Sequence, residues 1–284
     1  MLTSPSQLTV EDISDETADT FPTTVNLGIQ AHLEIDLDGS LIYYGATSIF
    51  RLEEEDRKQF PSQPRFLGGS QDAHRSGEAS VSHVLEYFGI NMDDDVVHEA
   101  LTQFFRWQYP HFMFIYREAF LRDHCGNREH AKYWSPALLL SICALGALMS
   151  LEDRYRKMCD QFFFAAESIA LVNGLAQPSI ATVQTFLCLA FYEIGRGNLS
   201  KGWGFSGIAF RMAQDLGFQR DPQIWISHSP YQATREDVEI RRRIYWGCYI
   251  SDKLISMVLG RPIQLPYNDA QVEPLTILPY AYNS

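Results

Sequence analysis

Residues Gly195–Pro222 read GRGNLSKGWGFSGIAFRMAQDLGFQRDP, and the rest of the chain is best understood from them. The segment opens polar and glycine-rich, the composition of a turn between two helices. From Trp203 onward the apolar residues recur at helical spacing. Trp203, Gly207, Phe210 and Ala213 form one stripe, and Leu216 closes it. Gly204 and Gly207 each cost a helix up to about 1 kcal/mol relative to alanine. A helix that keeps both is expected to press against a second backbone. Gly217 suits the left-handed position after a helix, and Asp221-Pro222 forbids continuation. Arg211 falls inside this apolar helix and needs a carboxylate or carbonyl groups if it is buried. No residue here has the surroundings of a catalyst. The segment is a packing module.

Working outward, the 284 residues are 46% hydrophobic, enough for one large core or two small ones. The formal net charge of −12 is unevenly spread: residues 1–99 carry 19 Asp and Glu against 5 Lys and Arg (−14), and the remainder carries 16 against 18 (+2). An acidic chain without a basic run is a poor match for a phosphate backbone, so these residues are not expected to grip nucleic acid by themselves. Cys125, Cys143, Cys159, Cys188 and Cys248 are scattered through mostly apolar helical text, with no CxxC pair. They read as reduced, buried thiols of an intracellular protein. No basic region followed by an apolar run opens the chain, so no signal peptide is expected. The longest apolar stretch, Ala137 to Leu151, is too short and serine-dotted for a membrane span. It reads as a buried helix.

In chain order, residues 1–30 have the composition of a disordered tail. Over 31–50 the alternation of Leu33, Ile35 and Leu37 with charged residues, the Asp38-Gly39 turn signal and the return through Leu41–Tyr44 predict a β-hairpin leaning on a helical body. Residues 51–80 read as a flexible linker. From about Val81 the text is helical, so 81–284 is expected to be a helical domain. Asp93, Asp94 and Asp95 complement the start of one helix, and Ser135-Pro136 cap another. Further helices are predicted over Glu152–Leu171, Ile180–Ile194, Gly202–Leu216 and Arg235–Leu259. The fold class is all-α: a multi-helix bundle or array with a small N-terminal hairpin.

In the last predicted helix, Arg243 lies nine residues before Asp252 and Arg261 nine after it, so neither is an i,i+4 neighbour. The partner of Asp252 is expected from elsewhere in the fold, with Arg211 the candidate. Taken together, five collinear blocks resemble the regulatory middle homology domain of fungal binuclear zinc-cluster transcription factors. The first block is Leu41-Ile42-Tyr43-Tyr44-Gly45-Ala46-Thr47-Ser48. The second is His111–Phe120 with Arg117, and the third is Trp134-Ser135-Pro136 before an apolar helix. The fourth joins Gly195-Arg196-Gly197-Asn198 to Trp203, Gly207, Ala209, Arg211, Ala213, Leu216 and Gly217. The fifth comprises Arg241-Arg242-Arg243, Trp246, Asp252 and Gly260-Arg261-Pro262. The resemblance covers residues 33–275, and the fourth block is most similar to the branch containing nitrate-assimilation activators.

The resemblance implies a nuclear, non-enzymatic regulatory domain that controls transcription through protein partners or a small-molecule effector. It also implies that DNA is read by a separate cluster of six zinc-binding cysteines. Without a CxxC pair, this chain is expected to hold no cofactor, and the family's zinc belongs to that missing cluster. The family's domain usually continues past its Gly-Arg-Pro segment, so the helical domain is expected to be truncated at its C-terminus. A homo- or heterodimer follows as an expectation, including a truncated paralogue that pairs with a full-length factor. Trp203, Arg211, Arg243, Asp252 and Arg261 are the residues expected to hold the scaffold.

Rival readings rest on smaller signals. Asp94, Asp95 and Glu99 are similar to the aspartate-rich motif of an all-helical, Mg-dependent isoprenoid enzyme, but the candidate for the second cluster such an enzyme needs, Asn268-Asp269, lies in proline-bounded loop text with the wrong continuation. The helix-cap reading is preferred. His124, Cys125 and His130 lack the paired spacing of a zinc site. Gly204-Phe205-Ser206-Gly207 is one residue short of a nucleophile elbow, and the glycines around Lys201 follow no strand. The Arg241-Arg242-Arg243 run reads as partly buried ion-pair partners rather than a DNA contact. The aromatic pairs Phe104-Phe105, Phe162-Phe163-Phe164 and Tyr43-Tyr44 suit a core or an effector pocket equally.

Overall fold

The computed structural model describes residues 32–35, 41–44, 70–111, 114–128, 131–175, 178–221, 234–266 and 272–273. The expected tail over 1–30, the Asp38-Gly39 turn, the linker up to residue 69, Pro222 and His130 lie outside the described residues. The described body is helical, as an all-α fold requires. It contains α1 (Ser70–Phe88), α2 (Asp95–Gln103), α3 (Arg117–Cys125), α4 (Pro136–Leu148), α5 (Asp153–Arg156), α6 (Cys159–Ile169), α7 (Ile180–Gly195), α8 (Leu199–Asp215) and α9 (Arg235–Leu259).

Local chemistry sets most boundaries. Ser135 accepts the Leu138 N–H with Pro136 in the first turn, and Ser179 accepts the Thr182 N–H at the start of α7. Thr234 and Asp237 exchange hydrogen bonds in a capping box that opens α9, and Gly260 (φ 64°) closes it. Asp94 caps α2, as its position before that helix suggests. Two expectations need correction. Helix α1 begins at Ser70 rather than near Val81, because side-chain polarity does not prevent a helix that has a body to pack on, here α6. The span Glu152–Leu171 is two helices, broken at Lys157-Met158; α6 then runs into a π-helical turn, Ala170–Gly174.

Helices α4 and α7 form the centre. Nearly every residue of each is buried, which is why their apolar text has no polar face. Helix α4 packs on α2, α6 and α7, α7 on α8, and α8 on α9. The close backbone approaches occur at glycines other than those the sequence singled out. A Cβ on Gly146 of α4 would lie 1.9 Å from the Ala100 carbonyl oxygen, and one on Gly202 would lie 2.9 Å from that of Ala190. Nothing lies within 4 Å of the corresponding position at Gly204, and at Gly207 only the Gln264 side chain comes near.

Candidate functional site

Helix α9 opens with three arginines whose environments differ. Arg242 is buried and forks Asp221, at 2.8 and 3.0 Å, just beyond α8. Its Nη2 also reaches Glu273 at 2.8 Å. The Asp221 bond is the main reason the guanidinium is held above its ordinary pKa. Arg243 lies 3.5 Å from Glu239 one turn back and rests over the Tyr116 ring, while Arg241 rests over Phe218. All three are half-buried or buried, and the ion-pair reading of the run agrees with the structure at Arg242 and Arg243. One turn on, the Trp246 indole donates to the Glu273 carbonyl at 3.0 Å, and the Glu273 N–H donates to Asp221 at 3.1 Å. Residue 273 is therefore clamped on α9 from three sides.

A second clamp lies lower on the helix. Asp252 is 2% exposed and accepts the backbone N–H groups of Gln264 (3.0 Å) and Leu265 (2.9 Å), with Lys253 Nζ at 3.0 Å. Arg211 is exposed on α8, so its expected pairing with Asp252 is corrected. The fold satisfies this carboxylate mainly through main-chain donors that follow the left-handed turn at Gly260. Arg261 stacks on the Trp203 ring, 4.6 Å from its centroid, and Gln264 lies beside Gly207. Trp203 is 37% exposed: it serves as a platform for the returning chain and not as the core residue its stripe suggested. The rest of that stripe, Gly207, Phe210 and Ala213, is buried as expected, and Gly202, Phe205 and Ala209 join it. The fourth and fifth sequence blocks thus converge on one object, a strap whose described residues, 261–266 and 272–273, rest on α8 and α9.

The remaining blocks brace the same body. Gly197 (φ 88°) turns the chain between α7 and α8, and Asn198 Nδ2 donates to buried Glu193 at 2.6 Å. Lys201 bridges Glu193 (2.8 Å) and Glu167 (2.7 Å). Partial burial pulls its pKa down, but those two carboxylates outweigh it and raise it overall. Gln184 of α7 donates to the Phe114 carbonyl at 2.8 Å, and Gly247 of α9 leaves room for the Phe114 side chain. Asp237 accepts from Lys132 Nζ at 2.6 Å and from the Tyr133 hydroxyl, tying the start of α9 to the loop before α4. Asp221, Glu273, Glu193 and Asp237 were not singled out as scaffold residues from sequence. Asp221 was read only as part of a helix stop, and only the capping spacing of Thr234 and Asp237 could have revealed the last.

Residues 101–281 match the fungal specific transcription factor domain. The chain belongs to that family. An uncharacterised transcriptional regulatory protein of Schizosaccharomyces pombe is 35% identical over 267 residues, covering 94% of this chain and 40% of its own. A second from the same yeast is 41% identical over 184 residues, covering 65% and 52%. The nitrogen assimilation transcription factor nirA of Emericella nidulans is 31% identical over 253 residues, covering 86% and 27%. The chain thus spans about half or less of the length of these curated relatives. No solved structure matches it. The family is one of transcriptional regulators, not enzymes.

Among the described residues, the rival site readings find no support in this fungal regulatory domain. Asp94 Oδ1 turns back to the Val96 N–H, and Glu99 accepts from Gln103 at 2.7 Å, as a cap and a helix-surface pair do. His124 is buried against Phe120 and Trp134 while Cys125 is exposed. Burial, then Arg128, lowers the pKa of His124. The family's zinc does not fit the cysteines present. Four are buried on separate helices, and burial pushes the thiol of Cys188 up to about 12 and those of Cys143 and Cys248 higher still, whereas zinc needs thiolates. Phe104, Phe162 and Phe163 fill the core. A groove of about 450 Å³ lies elsewhere, between α1 and α6, lined by Ser80, His83, Val84, Tyr87, Phe88 and Ser168. Among the described residues, no helix is long and apolar enough to cross a membrane.

Proposed function

We propose that this chain is the control domain of a nuclear zinc-cluster-type factor, which reads DNA through a cysteine cluster apart from these helices. The observation that carries this reading is the doubly clamped strap. Two separable polar latches hold it: Asp252 holds residues 264 and 265, and Arg242 with Asp221 holds residue 273. Such a segment has a held and a released arrangement, and a signal that binds one better shifts the balance between them. The signal is a metabolite or a protein partner. The hairpin over 31–50 belongs to the same unit in this reading. It leans on the end of α8, where Arg220 donates to the Tyr43 hydroxyl at 3.0 and 3.2 Å.

The test is a reporter assay with the chain placed between a heterologous DNA-binding domain and an activation domain. The intact chain should lower reporter output, and Asp252→Ala should restore it at equal protein level. Output that ignores both the chain and the substitution would remove the control reading.

A further inference from the structure

Helix α9 carries a second feature that the strap does not use. On its solvent side Ile250, Leu254, Met257 and Val258 recur at spacings of four, three and one, and they are 55, 44, 74 and 62% exposed. Ile263, half exposed, extends the same end of the molecule. An aliphatic stripe of this kind along one helix is more than the isolated apolar residues of an ordinary surface. Of the charged residues between Ile244 and Pro266, Asp252 is buried and Lys253 is tied to it. Arg261, over Trp203, remains as the cation beside the stripe.

We infer that this stripe is the interface with a second copy of the chain, joined by antiparallel α9 helices about a twofold axis at Leu254. The pattern is self-complementary in that arrangement, as an isologous contact requires. With Leu254 on the axis, Ile250 of one copy meets Val258 of the other, and Met257 packs between. Charge complementarity selects the same register. Arg261 lies seven residues after Leu254, and Trp246, which holds the Glu273 carbonyl, lies eight before it. At 1.5 Å per residue Trp246 stands about 12 Å from the axis and the helix end at Leu259 about 8 Å from it; Arg261 follows directly after that end, which brings Arg261 of each copy to the level of Glu273 of the other. The Glu273 side chain is 62% exposed despite its bond to Arg242, leaving an oxygen edge for that cation. The helical part of the stripe, from Trp246 to Leu259, is about 20 Å long, a span compatible with a standard interface.

The test uses the full chain in light scattering after gel filtration, at tens of micromolar. Wild type should be a dimer, and Ile250→Glu and Val258→Lys alone should each be monomeric with unchanged helical circular dichroism. An equimolar mixture of the two should recover a dimer, because Glu at 250 then meets Lys at 258 of the other copy. In parallel, Leu254→Cys should form a disulfide-linked dimer on mild oxidation, beyond any linkage shown by wild type, which carries exposed Cys125. This arm does not depend on how either charged variant folds. A monomeric wild type, dimers that survive both single substitutions, a mixture that stays monomeric, or no extra crosslink at Leu254→Cys would each overturn the interface as drawn.

Discussion

Arg242 and Asp221 meet in a two-pronged ion pair with both side chains below 5% exposure, and the strap's residue 273 is hung from both. Removing one partner leaves the other charge buried and unpaired, a loss of about 3–5 kcal/mol. Arg242→Met should therefore cut stability by that amount in guanidinium melts. Combining it with Asp221→Leu should recover part of the loss, since a buried pair can often be replaced by apolar side chains at little net cost. If the double variant is the sum of the singles, the pairing account fails.

Asp252 makes a separate prediction because its partners are main-chain donors. Asp252→Ala strips the acceptor from Gln264 and Leu265 N–H groups and leaves Lys253 with one partner fewer. The expected loss is about 2–4 kcal/mol, from several hydrogen bonds to a buried charge. Amide exchange at 264 and 265 should accelerate while the centre of α7 stays protected. A stability change below about 0.5 kcal/mol, the level of an ordinary surface site, would refute it.

These two clamps show where the sequence could and could not be read. Helix α9 was legible to its ends: Gly260 is a local stop signal, and Thr234 with Asp237 is a local start signal that the sequence reading did not use. The burial of α4 and α7 was legible too, since neither has a polar face. The phase of α8 was legible only in part, since Gly207, Phe210 and Ala213 are buried and Trp203 is not. Its inner face combines small residues (Gly202, Ser206, Ala209) with Phe205 and Phe210, so more than one stripe fits the spacing, and Trp203 was placed inside. The partner of Asp252 was also hidden. Spacing rules test side chains one turn apart, whereas its donors are peptide groups twelve and thirteen residues on. The π-helical turns at Phe104–Gln108 and Ala170–Gly174 add a residue to a turn, which shifts the periodicity a reader follows.

Asp237 predicts how stability responds to acid. Burial pushes its carboxyl up, but the bonds from Lys132, Tyr133 and Thr234 outweigh that and leave it at about 2, against 3.8 for the free group. The folded pKa is depressed, so the contribution is present above about pH 4 and is lost as pH falls toward 2. At about 1.4 kcal/mol per unit, it amounts to about 2 kcal/mol. Asp237→Asn should lower the urea midpoint at pH 7, and the gap to wild type should narrow between pH 4 and pH 2. A gap that stays constant over that window would mean the group is not linked to folding.

Two glycines give opposite expectations from the same substitution. At Gly146 an added Cβ would sit 1.9 Å from the Ala100 carbonyl oxygen and 3.0 Å from the Phe104 nitrogen, all backbone, so α2 and α4 must separate. Neither helix can yield locally, because both are buried against the same core. Gly146→Ala should cost at least about 3 kcal/mol, the upper range for overpacking, and lower the melting temperature sharply. Gly204 has open space around it and lies within α8. There alanine removes only the flexibility of glycine, and the gain is about 0.5–1 kcal/mol. Paired thermal melts check both signs at once. A neutral Gly146→Ala would mean that α2 and α4 do not cross at that position.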